Sequence, residues 1–337
     1  MSRATAIGSW PGDDMATTLR IVRDTYTDAD EPGIPYLPEL PGRGPGSDMI
    51  GRSAGLLVDL PVDLQPSGWR LVDHPGRDAE RTAALLRRDL DDLAEVFDGY
   101  TGDLKVQVVG PWTLVSQLRV TRGERVAGDP GASRDVRQSL TEGIRRHLGE
   151  VARRVPGARL ILQLDEPSLP SVLAGELSTS SGFGRVRALD PQDARTGLAE
   201  VIEAAKEQAA LVVVHCCAPR VPLPLLRAAG ADAMSLDCSL LSAAGWESVA
   251  TSVEAGVALW AGVVATDHDE TLPVKAAQVV EPLVRRWHEL GLSTALLDDV
   301  ILTPACGLAG SDPQRATAIH RLVSDAAKEL TWQAREG

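Results

Sequence analysis

A chain of 337 residues exceeds an average domain, yet one barrel of about 250 residues with insertions absorbs that length. Its 44% hydrophobic and 24% charged residues are those of an ordinary globular protein and argue against disorder. The 47 acidic against 34 basic residues give a formal charge of -13, which repels phosphate backbones and anionic lipid, so neither nucleic acid nor a membrane is expected as partner.

The opening residues, MSRATAIGSW, contain no apolar signal segment, and no run approaches the roughly 18 apolar residues of a membrane helix. A cytoplasmic location is the expectation. Four cysteines, Cys216, Cys217, Cys238 and Cys306, are too few and too unevenly spaced for a disulfide scaffold, which leaves burial, catalysis or metal binding for them.

In chain order, short apolar or β-branched runs fall at Thr5 to Trp10, Ile34 to Glu39, Lys105 to Pro111, Leu160 to Glu166, Leu211 to Cys216, Asp232 to Cys238, Ala258 to Val264 and Val300 to Ala305. Near-continuous apolar runs of this kind suit strands buried on both faces. Helical stripes lie between them, the clearest at Val136, Leu140, Ile144, Leu148 and Val151, with a second at Leu198, Val201, Ile202 and Ala205. Ser311, Asp312 and Pro313 mark the start of the last helix.

Parallel strands need such crossovers, and eight strands with intervening helices predict an α/β fold, a (β/α)8 TIM barrel forming one domain over residues 1–337. An open, doubly wound sheet is the alternative. Insertions are expected near residues 40–104, which carry the glycine-rich PGRGPGSDMIGRSAG and a charged helix from about Arg77 to Phe97, and near 119–133.

Barrel active sites gather at the C-terminal ends of strands, so the residues where each apolar run stops are informative. The fifth run ends in His215-Cys216-Cys217, the sixth in Asp237-Cys238, the seventh is followed by Asp267-His268, and the eighth ends in Ala305-Cys306-Gly307. Nitrogen and sulfur donors of this kind bind zinc. His215 and Cys217, two apart, could both point at one ion if the strand is just ending, with Cys306 arriving from a different strand; the alternative is that each is an ordinary buried core residue.

These segments resemble the three zinc segments of the cobalamin-independent methionine synthase family. The His-x-Cys pair matches His215 and Cys217, the cysteine before Gly-Leu matches Cys306, and the family glutamate falls on Asp237, with Cys238 beside it as the alternative fourth ligand. Ala6-Ile7-Gly8-Ser9-Trp10-Pro11 resembles the family segment that holds the substrate carboxylate, which implies substrate contacts from Ile7, Gly8 and Ser9. Gln163-Leu164-Asp165-Glu166-Pro167 resembles the strand end whose aspartate, here Asp165, grips the substrate ammonium, and Glu39 falls where a second carboxylate is expected. His268 lies near the histidine that serves proton transfer to the departing donor, and Trp112, in Gly110-Pro111-Trp112-Thr113, either stacks on a flat donor or closes the core.

The resemblance implies a zinc (Zn2+) methyltransferase acting on a thiol, homocysteine before others, with methyltetrahydrofolate or a methylcorrinoid protein as donor. Three rivals stand beside it. One is a corrinoid-linked enzyme acting on another thiol. The second is a metal-free uroporphyrinogen-decarboxylase-like barrel in which Arg43 and Arg52 line a carboxylate pocket. The third is a zinc-storing barrel closed by four protein ligands.

Overall fold

The computed structural model describes residues 1–27, 33–266, 271–273 and 275–336. Its strands, in chain order, are β1 (Arg3–Ala4), β2 (Val62–Gln65), β3 (Gly68–Leu71), β4 (Gly102–Val109), β5 (Ala158–Asp165), β6 (Leu211–Cys216), β7 (Ala233–Asp237), β8 (Ala258–Val264) and β9 (Ile301–Pro304). Seven of them form one parallel sheet in the order β1-β9-β8-β7-β6-β5-β4, and β2 pairs with β3 as an antiparallel hairpin.

The expected second strand of the ring is present as a bonded segment without a regular ladder. Pro35 and Pro38 have no N–H to give, so residues 34–39 bond alternately to both neighbours. Ile34 donates to the Ala4 carbonyl at 2.8 Å and Glu39 to that of Gly8 at 3.0 Å, while Leu37 donates to Lys105 at 2.9 Å and the Lys105 amide donates back to Pro35 at 2.9 Å. This segment therefore spans the gap between β1 and β4 and closes the curled sheet into a barrel. The ladder of β1 ends at Ala4, just before the expected run of Thr5 to Trp10, which joins the sheet through Thr5, donating to the Leu302 carbonyl at 3.0 Å, and through the bridge from Ser9 to Glu39.

Inside the ring, Ile34, Ile161, Val213, Ala233, Trp260 and Ile301 form an apolar cluster separate from the main core. They come from six neighbouring segments and plug the N-terminal end of the barrel. Because side chains alternate along a strand, residues two and four positions beyond this plug also face inward, nearer the mouth. Gln163, Asp165, His215, Ser235, Asp237 and Thr303 occupy those positions.

The outer helices follow their sequence stripes. All five apolar residues of the first stripe are fully buried along helix Pro130–Arg154, whose N-terminal amides at Gly131 and Ala132 are capped by Asp129. Asp312 caps the last helix, Pro313–Glu336, through the Arg315 amide at 2.8 Å. No helix among the described residues is long and apolar enough to cross a membrane.

The two insertions interlock at the barrel's side. Arg119 lies along the hairpin, accepting from the Leu71 amide at 2.8 Å and donating to the Trp69 carbonyl at 2.9 Å. Beneath the hairpin, the fully buried Asp89 of helix Arg77–Val96 receives Arg43 in a two-pronged pair at 2.6 and 2.9 Å and also bonds Arg52. Asp89 thus ties both arginines into one buried group that keeps a net positive charge, and Arg52 also acts on Glu39. Asp89→Asn leaves two buried guanidinium groups against a neutral amide and is expected to cost about 3–5 kcal/mol. Urea unfolding of the variant beside wild type measures it, and an unchanged midpoint would show that the triad contributes no net stability.

Candidate functional site

At the mouth end of β6, His215 is 2% exposed. Its Nδ1 lies 3.2 Å from the Ser235 carbonyl and 3.1 Å from the Ser235 hydroxyl on β7, its register partner. A carbonyl only accepts, so Nδ1 carries the proton and Nε2 keeps its lone pair. That Nε2 is buried without a hydrogen-bond partner.

Cys217 follows His215 by two and faces the same side; Cys306 arrives just after β9. The donor atoms of His215, Cys217 and Cys306 all lie within 4.8 Å of one another. The two sulfurs are 3.0 Å apart and share one hydrogen bond. This bond holds the Cys306 thiol well below the usual range, with His215 beside it adding to the effect, and pushes Cys217 up. One proton shared by two sulfurs next to an orphaned imidazole nitrogen is a donor set that a cation satisfies at all three points. Cys216 points to the other face of the strand and is a buried small hydrophobe, its thiol pushed up to about 12 by burial.

Neither candidate for a fourth ligand joins this group. The Asp237 carboxylate accepts from the Ser239 amide at 2.9 Å and its hydroxyl at 2.7 Å, capping the short helical turn Cys238–Leu240. Cys238 packs against the apolar core, its thiol pushed up to about 12 by burial. Both nevertheless line a cavity of about 720 Å3 that also contains Cys217 and Cys306.

Asp165, the register partner of His215 on the adjacent strand β5, and Glu39, on the segment that closes the ring, are 4% and 2% exposed, so two carboxylates stand nearly dry. Burial pushes Glu39 up to about 7, with the Asp165 charge adding to it, and burial likewise raises Asp165. Glu39 Oε1 has no partner, whereas Asp165 Oδ1 accepts from Gln163 at 2.7 Å. Between them stands a residue that sequence reasoning passed over, Lys105, fully buried on β4. The sequence signal was a lone lysine on the inward face of an apolar run; burial pushes it down to about 7.

Ser9 is half-buried beside the cysteine loop, its carbonyl accepting from Leu308 at 3.0 Å and its hydroxyl from the Ala309 amide at 3.3 Å. A Cβ at Gly307 would lie 2.2 Å from that hydroxyl, so only glycine lets the loop come so close. Gly8 similarly makes room for Gln107, whose side chain a Cβ would meet at 2.7 Å. The Ile7 carbonyl accepts from Lys105 at 2.7 Å and Gln163 at 2.8 Å, so its role is first to anchor those two side chains.

Trp112 is placed elsewhere. Its indole N–H donates to the Ala194 carbonyl at 2.9 Å, the Arg137 guanidinium sits 5.1 Å from its ring centre, and Gly197 packs on its edge. The ring points outward between the barrel and helix Pro191–Ala205, so Trp112 closes the core and does not face the cavity of the cysteines. Glu166 explains the motif around it: its buried carboxylate accepts from the amides of Trp112 and Thr113 and the Thr113 hydroxyl, at 2.7 to 2.8 Å, tying β5 to the turn after β4. His268 and Asp267 lie outside the described residues.

The sequence profile of the catalytic domain of cobalamin-independent synthases matches residues 2–329. No protein of curated function matches the chain. Among solved structures, a B12-independent methionine synthase from a Shewanella species, in complex with selenomethionine, aligns with a TM-score of 0.52 at 15% identity, covering 74% of this chain and 68% of that one. At that identity it shows a shared fold. A protein from Anabaena variabilis described as a sugar phosphate isomerase/epimerase aligns with a TM-score of 0.40 at 12% identity, covering 80% of this chain and 87% of that one.

Proposed function

Because this chain belongs to the cobalamin-independent synthase family by its catalytic domain, we propose that it transfers a methyl group to a thiol, homocysteine above others, as one barrel spanning residues 1–337. The observation that carries the proposal is the convergence of an orphaned His215 Nε2 with the sulfurs of Cys217 and Cys306 at the same mouth as the Glu39 and Asp165 pair. Metal-donor atoms suit a thiol, and paired carboxylates suit an ammonium. An amino thiol satisfies both.

His215, Cys217 and Cys306 would hold zinc, with Ser235 fixing the imidazole's orientation. Zinc held there supplies the positive charge that keeps a substrate thiol ionised at neutral pH. Asp237 is the better of the two fourth-ligand candidates, since its strand position faces inward and that of Cys238 does not; it would have to release Ser239 to act.

Glu39 and Asp165 grip the ammonium and Ser9 the carboxylate, which orients the sulfur. The sulfur lone pair then attacks the methyl carbon, the S–C bond forms as the methyl–donor bond breaks, and the donor's leaving atom keeps the electron pair; where that atom is a folate nitrogen it also takes a proton. His268 is assigned to that proton by family resemblance. The donor is methyltetrahydrofolate or a methylated corrinoid protein.

The test is the metal content of protein purified without added metal, followed by titration with homocysteine. About one zinc per chain is expected, with about one proton released per thiol bound. Protein without zinc that also fails to bind it would sink the mechanism.

A further inference from the structure

Lys105 donates all its hydrogen bonds to neutral oxygens: the Ile7 carbonyl at 2.7 Å, Gln163 Oε1 at 2.9 Å and, more weakly, Gln107 Oε1 at 3.4 Å. No carboxylate touches the ammonium directly, although Asp165 and Glu39 both act on it through space. A buried cation without a contacting counter-charge is costly, so its retention calls for a role.

The bond to Gln163 supplies one. With Oε1 committed to Lys105, the Gln163 amide must turn its Nε2 outward, and that nitrogen donates to the Ile7 carbonyl at 2.8 Å and to Asp165 Oδ1 at 2.7 Å. Gln163 therefore faces Asp165 as a donor. Without the lysine the amide is free to flip, and its oxygen would then oppose the carboxylate. As it stands, Asp165 Oδ1 is held and Oδ2 has no hydrogen-bond partner among the described residues.

Charge surrounds the pair as well: Lys105 acts on both carboxylates, and the Arg43, Arg52 and Asp89 group beside Glu39 keeps a net positive charge. Around this set, the Tyr36 ring lies 5.1 Å from the Lys105 ammonium, Arg52 acts on Glu39, and His215 acts on Asp165.

We propose that Lys105 is a positioning residue for recognition of an ammonium-bearing thiol: it orients Asp165 through Gln163, so that one carboxylate oxygen is held and the other is left for the substrate's ammonium. This rests on the acceptor assignment made above. It assigns to a lysine on β4, which itself touches no substrate, the preference for an amino thiol over one without the amine.

The experiment compares homocysteine with 4-sulfanylbutanoate, which keeps the thiol and carboxylate but lacks the amine, on protein as purified with its metal. In wild type, homocysteine is expected to bind more tightly. Lys105→Met should raise the KM for homocysteine roughly 10- to 100-fold, as loss of a hydrogen bond to charge does, with a smaller fall in kcat, and leave affinity for 4-sulfanylbutanoate unchanged. Lys105→Arg should restore part of the preference. Gln163→Leu, which breaks the link and keeps the charge, should move the preference in the same direction and serves if Lys105→Met does not fold. Equal losses for both ligands, or an unchanged preference in both Lys105→Met and Gln163→Leu, would overturn the proposal. A wild type that binds neither thiol, or binds both alike, overturns the acceptor assignment itself and is seen before any substitution is made.

Discussion

Cys306→Ser is expected to lose its bound zinc and, with it, detectable methyl transfer. The substitution exchanges sulfur for oxygen at a half-buried position, so the barrel survives while one of three converging donors is removed. Ser235→Ala provides the scale for comparison, because it removes only the hydroxyl that orients His215 and leaves the carbonyl in place. Loss of such a supporting partner costs roughly 10- to 100-fold in metal affinity, and loss of a ligand should cost more. Metal per chain after dialysis against a graded chelator orders the three proteins. Full retention of zinc by Cys306→Ser would show that the proposed ligand set is wrong.

Substitutions at the carboxylate pair should separate recognition from metal binding. Asp165→Asn is expected to keep its zinc and weaken homocysteine binding by roughly 10- to 100-fold, equivalent to about 1.5–3 kcal/mol for a hydrogen bond to charge. Glu39→Gln should do the same and, unusually for a site residue, make the fold more stable. Burial raises the Glu39 pKa from 4.5 to about 7, so the folded state holds that proton more tightly than the unfolded chain. The stability this provides is fully present below 4.5 and lost as pH rises through 7. Above 7 the buried anion costs about 3 kcal/mol relative to an exposed one. Lys105 runs the other way, its cost relieved only between about 7 and 10.5, so it does not alter the lower window. Glu39→Gln should therefore exceed wild type in urea at pH 8 and match it near pH 4.5. A variant that is less stable at pH 8 would show that Glu39 is held by partners stronger than its burial penalty.

Much of the site was legible in the sequence because strands write their geometry locally. A run that is apolar on both faces and then stops at His215 places that residue at a barrel mouth, and the period of two aims Cys217 the same way. The buried stripe along helix Pro130–Arg154 was legible for a similar reason, at its own period. Trp112 was not: one residue past a strand end, a tryptophan can turn inward or outward, and the Ala194 carbonyl and Gly197, more than 80 positions away, decide it.

By itself, then, the sequence determined the alternation of strands and helices, the strand ends where chemistry gathers, and the presence of nitrogen, sulfur and carboxylate groups there. Tertiary structure alone decided that a proline-broken segment closes the ring, that Arg43 and Arg52 both bind Asp89, that Asp237 caps Ser239, and that Lys105 reaches into the space beside two carboxylates. The physical reason is separation along the chain. Periodicity is set by neighbours a few residues apart, whereas the bond from Lys105 to Ile7 spans 98 positions and that from Ala309 to Ser9 spans 300, and such contacts exist only once the strands have taken their register.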